Sequence, residues 1–572
     1  MKREESSQAA GYGWRLALVF VVMGIAVGFL GWRAVDLQIL NKAFLQKQGD
    51  ARYLRVVPIS AHRGAITDRN GEALAISTPV DSIWVDPTPL LEETRGLIRV
   101  AKKIGIDPDR LKRQLERRRD REFVYLKRHA TPDLAREILA LEANGVFVQR
   151  EYKRYYPMGE VTAHLLGFTN VDDQGQEGLE LAYDKYLRGT PGAKRVIKDR
   201  LGRVVEDVES IRVPRPGRDM RLSIDRRIQY LAYRELKAAV LANRARAGSM
   251  VMLDVATGEV LAMVNQPAHN PNNRDGMKPS HMRNRAVTDV FEPGSTIKPF
   301  TIAAALESGR YRASTPIDTQ PGWHKVGGKM IRDLRNLGRI DVARVLQKSS
   351  NVGASKIALS LPAERLWSMF TRVGFGSQVN VGFPGESAGA LAHYATWRPI
   401  EQATLSYGYG ISTTTLQLAH AYSVIAARGI LRPVSLLKVE GAVSGERVMP
   451  RRVASQLLEM LEAVVGPQGT APGARVPGYR VAGKTGTAHK LVNGGYSEDQ
   501  YVALFAGIAP LDEPRLVCVV MIDDPRGEQY YGGQVAGPVF SRVMAGALRL
   551  LDIAPDDLQA LQTRVAQSGV VQ

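Results

Sequence analysis

Hydrophobic positions along this chain follow three different rhythms. Leu16 to Trp32 is uncharged and mostly apolar, bounded by Arg15 and Arg33. As a helix this run rises roughly 25 Å. Gly11 to Gly13 and Ala34-Val35 extend it toward the ~30 Å hydrocarbon thickness of a bilayer. Helical spacing governs the middle of the chain: a long amphipathic stretch from Arg227 to Ala242, then Ile297, Phe300 and Ile302 to Leu306, then Val342, Val345 and Leu346, then Val352 to Leu361. Strands are predicted at Arg221 to Ile224, in a hairpin (Ser249 to Asp254, a turn at Ala256-Thr257-Gly258, then Glu259 to Asn265), and at Tyr479 to Ala488, Tyr501 to Ala509 and Arg515 to Asp523. A last helix is predicted from Val539 to Leu551. Strands at both ends with helices between them give an α+β fold with a largely antiparallel sheet. The Pro/Gly-rich break Val213-Pro214-Arg215-Pro216-Gly217-Arg218 marks a boundary. The expected partition is a short N-terminus (1–13), an apolar span (14–35), a mixed region of short strands and basic helices (36–219), a second domain (220–553) and a loose polar tail (554–572).

Three short motifs add chemistry to this layout: Ser295-Thr296-Ile297-Lys298, Ser349-Ser350-Asn351 and Lys484-Thr485-Gly486-Thr487. Serine is a poor nucleophile until a base takes its proton. Residues three apart share a helix face, so Lys298 can stand beside Ser295. An ordinary lysine is protonated at neutral pH; burial and a nearby cation lower its pKa, and Lys484 can be that cation. Pro293-Gly294 precedes a helix start, and Gly309 suits its C-terminal cap. Pro299 has no N–H for the Ser295 carbonyl, which places Ser295 in the first turn with its carbonyl satisfied elsewhere. Ser349 to Asn351 reads as a turn between helices, where a hydroxyl can relay a proton and an amide can hold a substrate amide. Gly483 and Gly486 within a strand mark close approach of a ligand or another backbone. Such an edge can pair with an extended peptide, with Lys484 and Thr485 on its carboxylate. The backbone N–H groups of Thr487 and Ser295 can then stabilise an oxyanion.

These motifs, in this order, resemble those of the class B penicillin-binding proteins, most closely the division-associated FtsI type. The likeness covers nearly the whole chain. Arg63-Gly64-Ala65-Ile66-Thr67-Asp68-Arg69-Asn70-Gly71, Arg154-Tyr155-Tyr156-Pro157 and Gly175-Gln176-Glu177-Gly178-Leu179-Glu180 are similar to that family's upstream motifs. Tyr407-Gly408-Tyr409-Gly410 resembles the segment between its second and third catalytic motifs. Thr485 keeps a hydroxyl where some members carry serine. The resemblance implies a penicillin-binding/β-lactamase-like transpeptidase domain on an elongated N-terminal pedestal with one transmembrane helix. The implied activity is a D,D-transpeptidase that cross-links peptidoglycan stem peptides and is acylated by β-lactams. Ser295, Lys298, Ser349, Asn351 and Lys484 are the expected catalytic set. Thr485, Gly486, Thr487, Tyr409 and Tyr531, with Tyr530, are expected around the substrate.

One rival motif competes for the same lysine. Gly478-Tyr479-Arg480-Val481-Ala482-Gly483-Lys484-Thr485 fits the phosphate-binding loop G-x-x-x-x-G-K-[ST], and Leu516 to Asp523 looks like the strand and acid that hold magnesium there. That loop needs a strand before its first glycine and a helix after its threonine. Here Ala471 to Pro477 reads as loop and Gly486 follows Thr485, so nucleotide binding is rejected.

Composition narrows the classes further. The 572 residues, 24% charged and 44% hydrophobic, are globular in character. A formal charge of +19 is concentrated in part between Arg110 and Arg128, where nine basic residues face three acidic ones. Leu111 and Leu115 pin that stretch, leaving a solvated basic face or one drawn to anionic lipid headgroups or a pyrophosphate-linked precursor. The run is read as lacking interleaved stacking aromatics, which argues against nucleic acid. Cys518 stands alone within a strand pattern, so no intrachain disulfide forms. The nine histidines are scattered, and neither a metal nor a cofactor is expected.

The N-terminal run has no clear A-x-A cleavage site, so it is read as an uncleaved anchor, with Lys2, Arg3 and Arg15 favouring a cytoplasmic N-terminus. With the family resemblance, this implies a single-pass protein of the inner membrane with a periplasmic catalytic domain, active in septal wall synthesis. Gly24 and Gly28 make a G-x-x-x-G face, which suits either an ordinary membrane helix or contact with a polytopic glycan polymerase and other division proteins. The alternatives are a β-lactamase or D,D-carboxypeptidase, which needs a water-activating base that no motif supplies, and a non-catalytic division scaffold or β-lactam sensor.

Overall fold

The computed structural model describes residues 8–42, 54–198, 204–492 and 494–557. The chain separates into two compact units, each discontinuous in sequence. One comprises 1–62, 79–152 and 189–216; the other comprises 63–78, 153–188 and 217–572. Two segments of the 36–219 region, 63–78 and 153–188, therefore pack with the second unit.

In the first unit, an N-terminal helix spans Gln8–Val35, and the stretch from Gly13 to Leu40 is long and apolar enough to cross a membrane. Its side chains from 13 to 35 are exposed. Leu54–Ile59, Gly192–Lys198 and Val204–Arg212 form a three-stranded antiparallel sheet. Helices Thr94–Ile104 and Pro108–Glu116 turn Leu97, Val100, Leu111 and Leu115 into a core with Ile83, Val85 and Ile138. Asp107 caps the second of these helices, its carboxylate accepting from the Arg110 N–H at 2.9 Å. Arg117, Arg118 and Arg119 are left exposed, as the position of Leu111 and Leu115 requires. The basic run is not free of aromatics, however. It ends in Phe123 and Tyr125, but Phe123 stacks on Trp84 at 4.6 Å and meets Tyr125 edge-on at 4.7 Å, so these rings pack on one another.

The elements that build the second unit's site are numbered here in chain order: α1 (Arg226–Ala242), β1 (Ala247–Asp254), β2 (Val260–Gln266), α2 (Lys298–Glu307), α3 (Val342–Lys348), α4 (Asn351–Leu359), α5 (Thr415–Ala426), α6 (Arg451–Val465), β3 (Ala482–Val492), β4 (Gly495–Ala509), β5 (Leu516–Asp523) and α7 (Gly537–Leu550). The five strands form one antiparallel sheet in the order β2-β1-β5-β4-β3. Alternation sends β5 side chains to two separate cores. Val517, Val519 and Met521 pack with α2, α5 and α6, whereas Cys518, Val520 and Ile522 pack with α1 and α7. Both faces of the sheet are covered, which is why β5 reads as a continuous apolar run. Cys518 is buried, and burial pushes its thiol pKa up, as a core residue's should be.

The expected strand at 221–224 shortens to Met220–Arg221, and β3 is displaced toward the C-terminus. Gly478 adopts φ +83° and a bridge joins Val476 to Tyr479, so the residues before Ala482 form a turn. β3 and β4 form a long hairpin whose last pair is Val492 with Gly495. Asp556 accepts from the N–H groups of Arg480 and Leu511, each at 2.8 Å. Residues 558–572 lie outside the described residues.

Candidate active site

β3 is an edge strand, hydrogen-bonded only to β4, and its other edge faces the turn that carries Ser295. That turn is a 3₁₀ segment, Gly294–Ile297, running directly into α2. The Ser295 carbonyl accepts from the Lys298 N–H, which answers the problem posed by Pro299. Tyr422, fully buried on α5, donates to the Thr296 carbonyl at 2.8 Å and fixes the turn from below. Gly486 allows the strand to approach: a Cβ there would lie 2.8 Å from the Pro293 carbonyl oxygen. On the opposite side a Cβ on Gly408 would lie 2.1 Å from the Gly294 carbonyl oxygen. Glycine is required at both points by backbone contact.

The three motifs converge. Lys298 Nζ lies 2.9 Å from Ser295 Oγ, 2.7 Å from Asn351 Oδ1 and 3.2 Å from Ser349 Oγ. It also donates to the Ser349 carbonyl at 2.7 Å. Lys484 Nζ donates to the same Ser349 hydroxyl at 3.0 Å. Ser349 is held in the left-handed region, φ 59°, as it closes α3. That conformation costs a non-glycine residue about 1–3 kcal/mol, and here it turns carbonyl and hydroxyl together toward the lysines. Ser350 then caps α4, accepting from Gly353 N–H at 2.8 Å.

Both lysines are 0% exposed. Two ammonium groups sharing one hydroxyl repel by about 3–4 kcal/mol at an effective dielectric near 20. Burial first, and then the charge of Lys484, holds the Lys298 pKa well below the ordinary lysine range, against a smaller opposing pull from Asp333. Burial alone brings Lys484 to about 7. The neutral form of Lys298 beside Ser295 is therefore favoured relative to an ordinary lysine.

A cleft of about 840 Å³ opens over Ser295 and is lined by Asn351, Thr485 and Thr487, with Tyr409, Tyr530 and Tyr531 on its walls. The Thr487 hydroxyl accepts from Gly532 N–H at 3.0 Å, which leaves its proton free to donate into the cleft. Thr485 Oγ1 lies 2.8 Å from Thr470 Oγ1. The Tyr409 hydroxyl accepts from His489 N–H at 3.1 Å.

Several contributors were invisible in the motifs. Asp333 accepts from Ser350 Oγ at 2.6 Å, Asn351 N–H at 2.6 Å and Val352 N–H at 3.1 Å, so it caps α4 and sets the position of Asn351. It lies in an irregular loop with no periodicity to announce it. Thr470 and Gly532 lie far from any motif. Glu292, three residues before the nucleophile, accepts from Gly410 N–H at 2.7 Å and Tyr496 OH at 3.0 Å, and burial raises its carboxyl pKa. Lys484 lies within a strand that continues to Val492, so no helix follows Thr485 and the phosphate-loop alternative fails. Among the described residues no cluster of His, Cys, Asp and Glu can hold a metal.

Residues 248–545 match the family described as the penicillin-binding protein transpeptidase domain, and residues 58–222 match the penicillin-binding protein dimerisation domain. The chain is 44% identical to the peptidoglycan D,D-transpeptidase FtsI of Escherichia coli, over 97% of this chain and 95% of that protein. The chain belongs to the class B penicillin-binding proteins of the FtsI type. Other members of that family are similar to a comparable degree: the probable D,D-transpeptidase PbpC of Pseudomonas aeruginosa is 42% identical, over 97% of this chain and 98% of that protein. Among solved structures, the transpeptidase domain of Burkholderia pseudomallei penicillin-binding protein 3 is 46% identical, covers 59% of this chain and 97% of its own, and has a TM-score of 0.55. The α+β fold expected of a class B penicillin-binding protein is the fold observed.

Proposed function

We propose that this protein is a peptidoglycan D,D-transpeptidase working through an acyl-enzyme on Ser295. The observation that carries the reading is Lys298 Nζ, fully buried and 2.9 Å from Ser295 Oγ. Neutral Lys298 takes the Ser295 proton, and Oγ attacks the penultimate D-alanyl carbonyl of a stem peptide. The Ser295 and Thr487 N–H groups receive the oxyanion, a contribution worth about 3–4 kcal/mol per donor in such sites. The peptide bond breaks, and the departing D-alanine takes its proton through Ser349. Asn351 orients the donor peptide; Lys484, Thr485 and Thr487 hold its carboxylate. An amine from a neighbouring stem peptide then attacks the ester, forming the cross-link and returning the proton to Ser295. A β-lactam enters the first step and stops there.

The apolar helix Gln8–Val35 supports single-pass anchoring in the inner membrane, with a cytoplasmic N-terminus and a periplasmic catalytic domain. Septal wall synthesis, alongside a polytopic glycan polymerase and other division proteins, follows from the likeness to the FtsI type. The functional partition is an anchor at 14–35, a pedestal at 36–219 and a transpeptidase domain at 220–553. The test is covalent labelling of the full-length protein by a fluorescent penicillin. Ser295→Ala is expected to abolish it, and labelling retained at another residue would overturn the assignment.

A further inference from the structure

The cleft over Ser295 has two unlike ends. One is aromatic, where Tyr501, Tyr530 and Tyr531 stack on one another; the other is lined by Arg332, Arg335 and Lys348. Among the described residues, the only carboxylate lining the cleft, Asp333, is committed to the N-terminus of α4 through three hydrogen bonds. Lys348 Nζ is held by a neutral group, the Gln468 carbonyl at 2.7 Å. Among the described residues, the guanidinium groups of Arg332 and Arg335 make no ion pair or hydrogen bond, and both side chains are exposed. The cationic end therefore faces the cleft with its charge unneutralised.

Its position along the cleft gives it a role. Gln468, Gly469 and Thr470 line the floor between Lys348 and Thr485, and Thr470 touches Thr485 at 2.8 Å. The cations thus continue the line that begins at the proposed carboxylate anchor. A departing amine and an attacking amine pass through equivalent positions at one carbonyl, because aminolysis of the ester is its formation run backward. The attacking amine takes the place vacated by D-alanine, over Thr485, and the rest of its peptide extends across Thr470 toward Lys348, Arg335 and Arg332.

We propose that Arg332, Arg335 and Lys348 form an acceptor subsite that binds the free carboxylates of the incoming stem peptide. This deepens the transpeptidase reading and rests on it. In the step served, the acceptor nitrogen forms a C–N bond to the acyl carbon, the C–O bond to Ser295 breaks, and a proton from the amine passes to Ser295 Oγ.

The test uses the full chain in detergent with an N-acyl-D-alanyl thioester as donor. That donor has no upstream carboxylates, so any carboxylate effect belongs to the acceptor. Two acceptors compete at equal concentration: D-alanine, and an L-alanyl-γ-D-glutamyl-diaminopimelic acid tripeptide with its additional carboxylates. The product ratio does not depend on the fraction of active enzyme, so partial misfolding of a variant does not distort it. The wild type is expected to favour the tripeptide. Arg335→Glu and Arg332→Glu should each lower the ratio about five- to tenfold, and Arg335→Lys should restore most of it. Transfer to both acceptors with a ratio unmoved by either reversal would overturn the subsite alone. Hydrolysis without transfer by the wild type would overturn the transpeptidase reading and the subsite with it.

Discussion

Two of the buried charged clusters in the second unit are built on opposite principles. Arg63, Arg154 and Glu180 are almost completely shielded from solvent; Glu180 takes Arg63 Nε at 2.7 Å on one oxygen and Arg154 Nε at 2.7 Å on the other. Arg63 also reaches Asp184 at 2.8 Å and the Asp173 carbonyl at 2.9 Å. Burial works against the Arg63 guanidinium, but Glu180, Asp184 and Asp173 more than offset it and raise its pKa. Lys298 and Lys484 are as deeply buried, yet every oxygen that touches them is neutral: hydroxyls, carbonyls and an amide. Their pKa values fall. Opposite charge in the first place locks protons on, and neutral oxygen in the second lets them leave. Depth of burial is the same; the partner decides whether a buried cation becomes a structural tie or a base.

The largest effects come from exchanging these roles. Lys298→Ala is expected to slow acylation by penicillin about a thousandfold or more, roughly 4 kcal/mol of transition-state stabilisation, without lowering the unfolding temperature. Glu180→Ala leaves Arg154 buried without its counter-charge and Arg63 with Asp184 as its remaining ion pair, and should cost about 3–5 kcal/mol of stability in urea unfolding. If Lys298→Ala destabilises as much as Glu180→Ala, the lysine pocket is also a structural tie and the contrast is wrong.

Lys484 sharpens the same point through pH. Its folded pKa of about 7 lies below the unfolded value near 10.4, so the unfolded chain binds more protons between these limits. Lys484 therefore makes stability rise with pH across that window, and its contribution is lost as pH falls toward 7. The acylation rate should behave differently. Deprotonation of Lys298 gives the rising limb, and loss of the Lys484 charge gives a falling limb above about pH 7. Lys484→Arg keeps the charge at all accessible pH and should carry the falling limb upward by more than a unit. An unshifted limb would show that the cation at 484 does not control it.

Asp333 is the intermediate case, a half-buried carboxylate bonded to backbone N–H groups and a hydroxyl. Asp333→Ala removes the cap of α4 and should cost about 1–2 kcal/mol. It should also slow acylation by roughly tenfold, because Asn351 loses the bond that sets its backbone. Stability and rate measured on one preparation separate the two consequences.

How much of this was legible in the sequence follows from how local each interaction is. Ser295 with Lys298, and Ser349 with Asn351, are neighbours on one turn, so their spacing reveals them. Convergence of Lys484 on Ser349 spans the domain and was readable only as a family pattern, not as geometry. Arg63, Arg154 and Glu180 stood in three recognisable motifs, but nothing in their order says that they meet around one carboxylate. Asp333 acts across 17 residues from a loop without periodicity, and no local rule points to it. The β3–β4 hairpin is a different case: Asn493-Gly494 is a strong hairpin signal in the sequence. The strands then run farther than their buried alternation, because Leu491 and Val492 leave the core.

The smallest expected effect tests whether neutral partners in the lysine pocket are interchangeable. Thr470 touches none of the lysines; it positions the Thr485 hydroxyl, which lies 3.4 Å from Lys484 Nζ. Thr470→Val removes one neutral hydrogen bond and keeps the shape, which is worth about 0.5–1.5 kcal/mol. The expected result is a two- to tenfold rise in KM for a donor ending in a free carboxylate, a smaller change for the same donor as its amide, and little change in kcat. A pocket that works by withholding negative charge tolerates the loss of one neutral oxygen. A Thr470→Val variant as damaged as Glu180→Ala would mean that each oxygen around these lysines is as indispensable as a counter-ion, and the two buried sites would then differ only in sign.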